Sequence, residues 1–311
     1  MNLILKSFIT VIIYLVCAPF IGGLLNGIDR KISARMQRRV GPPILQPFYD
    51  VRKLFNKLPS AVDKRQLFLL MTYLFFVIFA GSMFFAGYDM LLVFFATSTA
   101  VIFLLLAAST THSPYTGVGT MRELVQIMAY EPMELLTAVG FYTATCVGSY
   151  DNGASFMVSD FLKTDKPAIV YLPGFFIGFV FILTIKFRKS PFDLSTSHHA
   201  HQEVVKGLTA EFSGSMYAIT EIAEWYEEVL LYGVVALFFI TKNPISYIFA
   251  LLAILVVFFL EILIDNVSAR VKWDLMLKLT WGVILVFSGV NLLVLQYLNK
   301  LQELQFLNMF G

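Results

Sequence analysis

Three glutamates, Glu221, Glu224 and Glu228, stand at i, i+3 and i+7 in an otherwise apolar run. Two more, Glu131 and Glu134, stand at i and i+3 in another. Both spacings put carboxylates on one face of a helix. A charged acid at the centre of a lipid-facing helix costs about 2.5–3.5 kcal/mol on insertion scales. Several on one helix must therefore face protein or water. Crowding and burial favour the protonated form of a carboxyl, and acids that take up and release protons are what a proton relay needs. Glu227 adds another acid to the first run. Pro132 directly follows Glu131 and predicts a kink or local unwinding, which membranes tolerate where the backbone lines protein or water. Glu123 and Glu211 fall near the ends of these runs, where charge is cheap. Glu261 lies near the end of a third run, where snorkelling suffices. Helix-to-helix hydrogen bonding without transport is the plainer reading of the set, but the acids are more numerous than it requires.

Other chemistry-bearing residues are few. His198, His199 and His201 are three of the four histidines. Their spacing lacks a zinc pattern. Histidine titrates near neutral pH, so the cluster reads as a polar face for a partner or as a proton relay. Cys17 and Cys146 fall inside apolar runs and read as small buried hydrophobes. Two thiols are short of the four that a cluster or a structural zinc site uses, so no cofactor or metal is expected in this chain.

The elements that must position the acids are membrane helices. Of 311 residues, 58% are hydrophobic and 14% charged, against roughly 25% charged in soluble domains. A bilayer-spanning helix needs about 20 apolar residues. Eight runs qualify, at 3–25, 67–87, 89–110, 122–149, 169–187, 211–240, 245–264 and 279–299. They predict an all-α polytopic membrane protein, with 1–311 as one integral membrane domain. The first run is too long for the apolar core of a signal peptide. The second and third runs form a tight hairpin through Gly87 and Tyr88. No internal repeat is visible, which weakens a stand-alone secondary transporter.

Most of the 23 Lys and Arg residues fall in loops on one side of this arrangement, so loops 26–66 and 186–210 are expected in the cytoplasm and both termini outside. Net charge is only +2 and suggests no nucleic-acid partner. Lys31, Arg35, Arg38 and Arg39 share a helical face, which suits lipid headgroups or a soluble partner. The Val40–Phe48 stretch, with Gly41, Pro42, Pro43 and Pro47, stops any helix.

Four segments carry a resemblance. They are Arg35–Phe48 with its Gly-Pro-Pro and Leu-Gln-Pro, Glu123–Glu131, Ser190-Pro191-Phe192-Asp193-Leu194, and Glu211-Phe212-Ser213-Gly214 followed by Ala223-Glu224. In this order they resemble the membrane subunit forming the quinone-site chamber of respiratory complex I and its relatives in membrane-bound nickel–iron hydrogenases. Gly41-Pro42-Pro43 replaces the usual Gly-Pro-Asn, and the histidine stretch replaces an acid-rich one. The histidine version resembles energy-converting hydrogenases of the Ech type and the related carbon-monoxide-linked hydrogenases.

The resemblance implies a non-catalytic anchoring and ion-coupling subunit. Its partners would be the hydrogenase large and small subunits and an iron–sulfur subunit fed by ferredoxin. An antiporter-like membrane subunit would lie beside it in the bilayer. Iron–sulfur clusters and the nickel–iron centre would sit in those partners. By motif position, Glu131, Glu203, Glu211 and Glu224 correspond to acids of the family's charged channel, and Asp193 to its loop acid. Glu134, Glu221, Glu227 and Glu228 join them from helix geometry. Arg35, Arg38, Arg39, His198, His199 and His201 are expected to dock partners. The equivalent subunit of a quinone or other membrane electron-carrier oxidoreductase is the alternative.

Overall fold

The computed structural model describes residues 3–58, 64–111, 113–148, 155–196 and 206–310. Helices dominate: α1 (Leu3–Met36), α2 (Gln46–Phe55), α3 (Lys64–Phe85), α4 (Met90–Ser109), α5 (Pro114–Gly148) and the short α6 (Val158–Phe161), then α7 (Pro173–Lys186), α8 (Ser215–Leu237), α9 (Ser246–Val267), α10 (Trp273–Val283) and α11 (Val290–Phe310). A π-helical stretch, Ile284–Gly289, joins α10 to α11. Among the described residues, β pairing is limited to one bridge, Asp89 with Met157.

Among the described residues, five helical spans are long and apolar enough to cross a membrane: Ser7–Met36, Lys64–Phe85, Met90–Ser109, Ser246–Val267 and Trp273–Lys300. The other three runs expected from the sequence are helical too, but α5 and α8 carry acids and α7 has only 14 residues. At 1.5 Å per residue, α7 spans about 21 Å, short of the ~30 Å hydrocarbon core. These three helices hold the interior. α8 packs against α1, α2, α3, α7 and α9, and α5 against α4, α7, α10 and α11. Large exposed hydrophobics such as Phe8, Phe68, Phe95, Phe249 and Leu293 lie on the outer helices, as lipid requires.

Lipid is as apolar as leucine, so close packing rather than water exclusion holds such helices together. Gly22 of α1 lies against the Trp225 backbone of α8, where a Cβ would collide. Tyr14 donates to the Tyr226 carbonyl (3.1 Å), and Tyr226 donates to the Leu15 carbonyl (2.7 Å), tying the same two helices reciprocally.

Several local expectations change. α1 continues eleven residues past its expected end, so loop 26–66 opens as helix and contains α2. That helix stops at Met36, and Arg38 takes a left-handed conformation (φ 58°), which ends the shared basic face before Arg38 and Arg39. The Gly-Pro-Pro turn does halt the helix, but Pro47 opens α2, because proline is tolerated in a first turn. Gly27 lets that turn fold back onto α1, where a Cβ would strike the Ile44 carbonyl. α5 runs through Pro132 without unwinding. The α3–α4 hairpin is as tight as expected, with Gly87 at φ 88° and Asp89 capping α4 through the Leu91 and Leu92 amides. Cys17 of α1 and Cys146 of α5 are exposed rather than buried.

Candidate functional site

The site is organised by the end of α7. The helix closes with a tight turn in which the Arg188 amide donates to Ile185 O (3.0 Å) and the Lys189 amide to Thr184 O (3.1 Å). Such a turn favours glycine at its left-handed position, yet Arg188 occupies it at φ 50°. A non-glycine residue there carries roughly 1–2 kcal/mol of strain. Strain retained at one position points to a job for the side chain.

The turn spreads three cations in three directions. Lys186 Nζ lies 2.7 Å from Glu134 of α5 and 3.3 Å from Glu227 of α8. Arg188 reaches Glu123 of α5 with Nε and Nη2 (3.1 and 3.0 Å) and Glu224 of α8 with Nη1 (2.7 Å). Lys189 Nζ contacts Asp29 of α1 at 2.7 Å. Burial opposes the Lys189 ammonium, but Asp29, with Glu228 and Glu261, together more than offset this and hold its pKa above the ordinary lysine range. The next turn is fixed by the Ser190 amide on Asp265 (2.8 Å) and by Arg270 on Asp193 (2.9 Å). One four-residue stretch thus ties α1, α5 and α8 together by charge.

Most of these groups, though neither Glu123 nor Glu134, line a cavity of about 430 Å³, room enough for water among polar walls. Glu221, Glu224, Glu227 and Glu228 form its α8 wall, Lys186 to Lys189 its α7 wall, and Asn26, Asp29 and Arg30 its α1 wall; Asp193, Asp265 and Arg270 also line it. The exposed part of Glu224, 40% of its side chain, faces this space.

The expected stripe of Glu221, Glu224 and Glu228 therefore does face one polar interior. Glu134 is buried behind it, and Asp193 is buried beside Arg270. Glu131 is half-buried, stands outside the cavity lining and has no ion-pair partner among the described residues. Glu211 is exposed ahead of α8. Arg35, in the last turn of α1, and Arg38 and Arg39, just past it, are exposed. His198, His199, His201 and Glu203 lie outside the described residues.

Two acids differ from expectation. Glu123 is 3% exposed rather than interfacial, because α5 starts at Pro114 and carries it inward to Arg188. Glu261 does not snorkel: it is fully buried, with neither carboxylate oxygen hydrogen-bonded among the described residues. α9 packs that face against α1, α7 and α8. From the sequence, the counter-ions Lys186, Arg188 and Lys189 are only markers of sidedness. Their signal is three bases within four residues at the end of a short apolar run. Among the described residues, no three His, Cys, Asp or Glu side chains are grouped to hold a metal ion.

The family model described as NADH dehydrogenase matches residues 9–296. The chain is 27% identical to hydrogenase-4 component C of Escherichia coli over 284 residues, covering 83% of this chain and 86% of that protein. It is 26% identical to a subunit of the NADH-quinone oxidoreductase of Rhodospirillum rubrum, covering 88% and 90%. Formate hydrogenlyase subunit 4 of E. coli is 25% identical, covering 83% and 89%. A chain of the archaeal membrane-bound sulfane sulfur reductase shares the fold, with a TM-score of 0.79 at 21% identity, covering 95% of this chain and all of that one.

Proposed function

The chain belongs to the NADH dehydrogenase family, as a membrane subunit of complex I-like or hydrogenase assemblies, and we propose that it couples a partner's redox reaction to ion movement. In this reading the assembly is a ferredoxin-dependent energy-converting hydrogenase in a prokaryotic cell membrane. The chain has no redox centre of its own. The soluble hydrogenase subunits and the ferredoxin-fed iron–sulfur subunit dock on its cytoplasmic loops, through Arg35, Arg38, Arg39 and the 198–201 histidines. Protons or sodium ions move through an antiporter-like neighbour, driven by charge shifts in the acids Glu131, Glu134, Asp193, Glu203, Glu211, Glu221, Glu224 and Glu228.

The observation that carries this reading is the ion-paired cavity. Several charges removed from bulk water cost several kcal/mol each unless paired. Anchoring alone would be served by an apolar interior. Two of the named relatives are hydrogenase or hydrogenlyase components, which supports the hydrogenase branch.

The nearly equal similarity to a quinone oxidoreductase subunit supports a second reading, the same role beside a quinone or other membrane electron carrier. Purification in mild detergent separates the two. Nickel–iron subunits and ferredoxin-dependent hydrogen evolution support the first. A stoichiometric quinone with no nickel supports the second. In liposomes the intact complex is expected to take up ions during turnover, and this chain alone is not.

A further inference from the structure

We propose that Lys186 is a proton-relay residue, the gate through which the hydrated cavity exchanges protons with Glu134. The inference rests on the ion-coupling reading above and assigns its entry step.

Glu134 is 1% exposed and is not part of the cavity wall, whereas Lys186 is. Among the described residues, Lys186 is the titratable side chain in ion-pair contact with both Glu134 and the cavity-lining Glu227. Its own side chain is 2% exposed, so water does not bypass it freely. Tyr130 packs over it, with the ring centre 5.2 Å from Nζ. Neither oxygen of Glu134 accepts an aligned hydrogen bond among the described residues. The 2.7 Å Nζ···O separation in this ion pair is within the range across which a proton is passed.

The step is a proton transfer without redox change. Lys186 Nζ gives one proton to a Glu134 carboxylate oxygen, leaving a neutral amine and a neutral acid. The amine then takes a proton from hydronium in the cavity, leaving water, or from the acid form of Glu227, leaving its carboxylate. A lysine can carry out this step; an arginine cannot, because its guanidinium keeps its proton throughout the pH range of proteins. Two residues away the guanidinium of Arg188 is ion-paired with Glu123 and Glu224 and releases no proton itself.

The test is Lys186→Arg in the intact complex, reconstituted in liposomes. The variant keeps the positive charge, so a merely structural lysine is rescued by it. Ion uptake during turnover is expected to fall tenfold or more with the complex assembled. The infrared carboxyl band of Glu134, identified by its loss in Glu134→Gln, is expected to stop changing during turnover. Uptake reduced by less than tenfold, or a Glu134 band that still changes, overturns the proposal. If the arginine does not fit and assembly fails, the wild-type complex decides: the Glu134 carboxyl band and the Lys186 ammonium band, assigned by nitrogen-15 lysine labelling, are expected to change together during turnover, and a Glu134 band that changes while the ammonium band does not overturns the relay. If the wild-type complex itself takes up no ions, the ion-coupling reading fails rather than this step alone.

Discussion

Lys186 and Arg188 are separated by one residue, yet they build two different kinds of centre. Arg188 places three donors on two carboxylates, Glu123 and Glu224, and does so from a strained left-handed backbone. Lys186 touches Glu134 and Glu227 by ion pairing from the last residue of a helix. Guanidinium forks fix geometry, and ammonium groups are mobile point charges that can release a proton. The contrast teaches that one turn can clamp α5 to α8 while leaving a second α5 acid open to exchange. A rigid clamp beside a labile contact keeps the helices in register while charge shifts between them.

The largest expected effect is on the clamp. Arg188→Ala leaves Glu123 buried and unpaired, and breaking such a pair costs about 3–5 kcal/mol. The yield of assembled complex and its melting temperature should both drop sharply. If assembly is unchanged, the clamp has no structural weight and the comparison collapses.

Next comes Glu224→Gln. Its side chain faces the cavity, and Arg188 keeps Glu123 as partner. The amide should therefore cost only about 1 kcal/mol, the scale of one hydrogen bond, while ion uptake in liposomes falls several-fold. Loss of assembly with little change in uptake per assembled complex would make Glu224 part of the clamp instead.

The smallest effect is expected at a pair far from the cavity. Lys163 donates to Asp160 at 2.9 Å beyond α6, and this bond holds the Asp160 carboxyl below the usual aspartate range. A depressed pKa contributes stability above the unfolded value, near 3.9, and loses it as pH falls through the folded value. Exposed pairs contribute about 0.2–1 kcal/mol. Asp160→Asn should thus leave the melting temperature at neutral pH nearly unchanged and ion uptake untouched. A larger change would show that partly exposed pairs matter as much as the buried ones.

Much of this is legible in the sequence, for physical reasons that also set the limits. The i, i+3, i+7 spacing of Glu221, Glu224 and Glu228 fixes their common face whatever the surroundings, so the cavity wall on α8 can be read directly. The directions taken by Lys186, Arg188 and Lys189 depend on a left-handed turn in which arginine stands where glycine is favoured, and no composition rule signals that. Cheap interfacial charge argues for Glu123 and Glu261 near the water. Their burial follows from where α5 starts and what α9 packs against, both tertiary facts. Glu131, picked by motif position, lies off the cavity lining, and it is Glu134, three residues along α5, that meets Lys186.

The most direct test of the account is ion uptake by liposomes carrying the intact complex with Glu134→Gln. The amide preserves the shape and leaves Lys186 paired with Glu227, so the complex should assemble. Uptake during turnover is expected to fall tenfold or more. Uptake equal to wild type would contradict the claim that the buried acid behind the cavity carries the coupling.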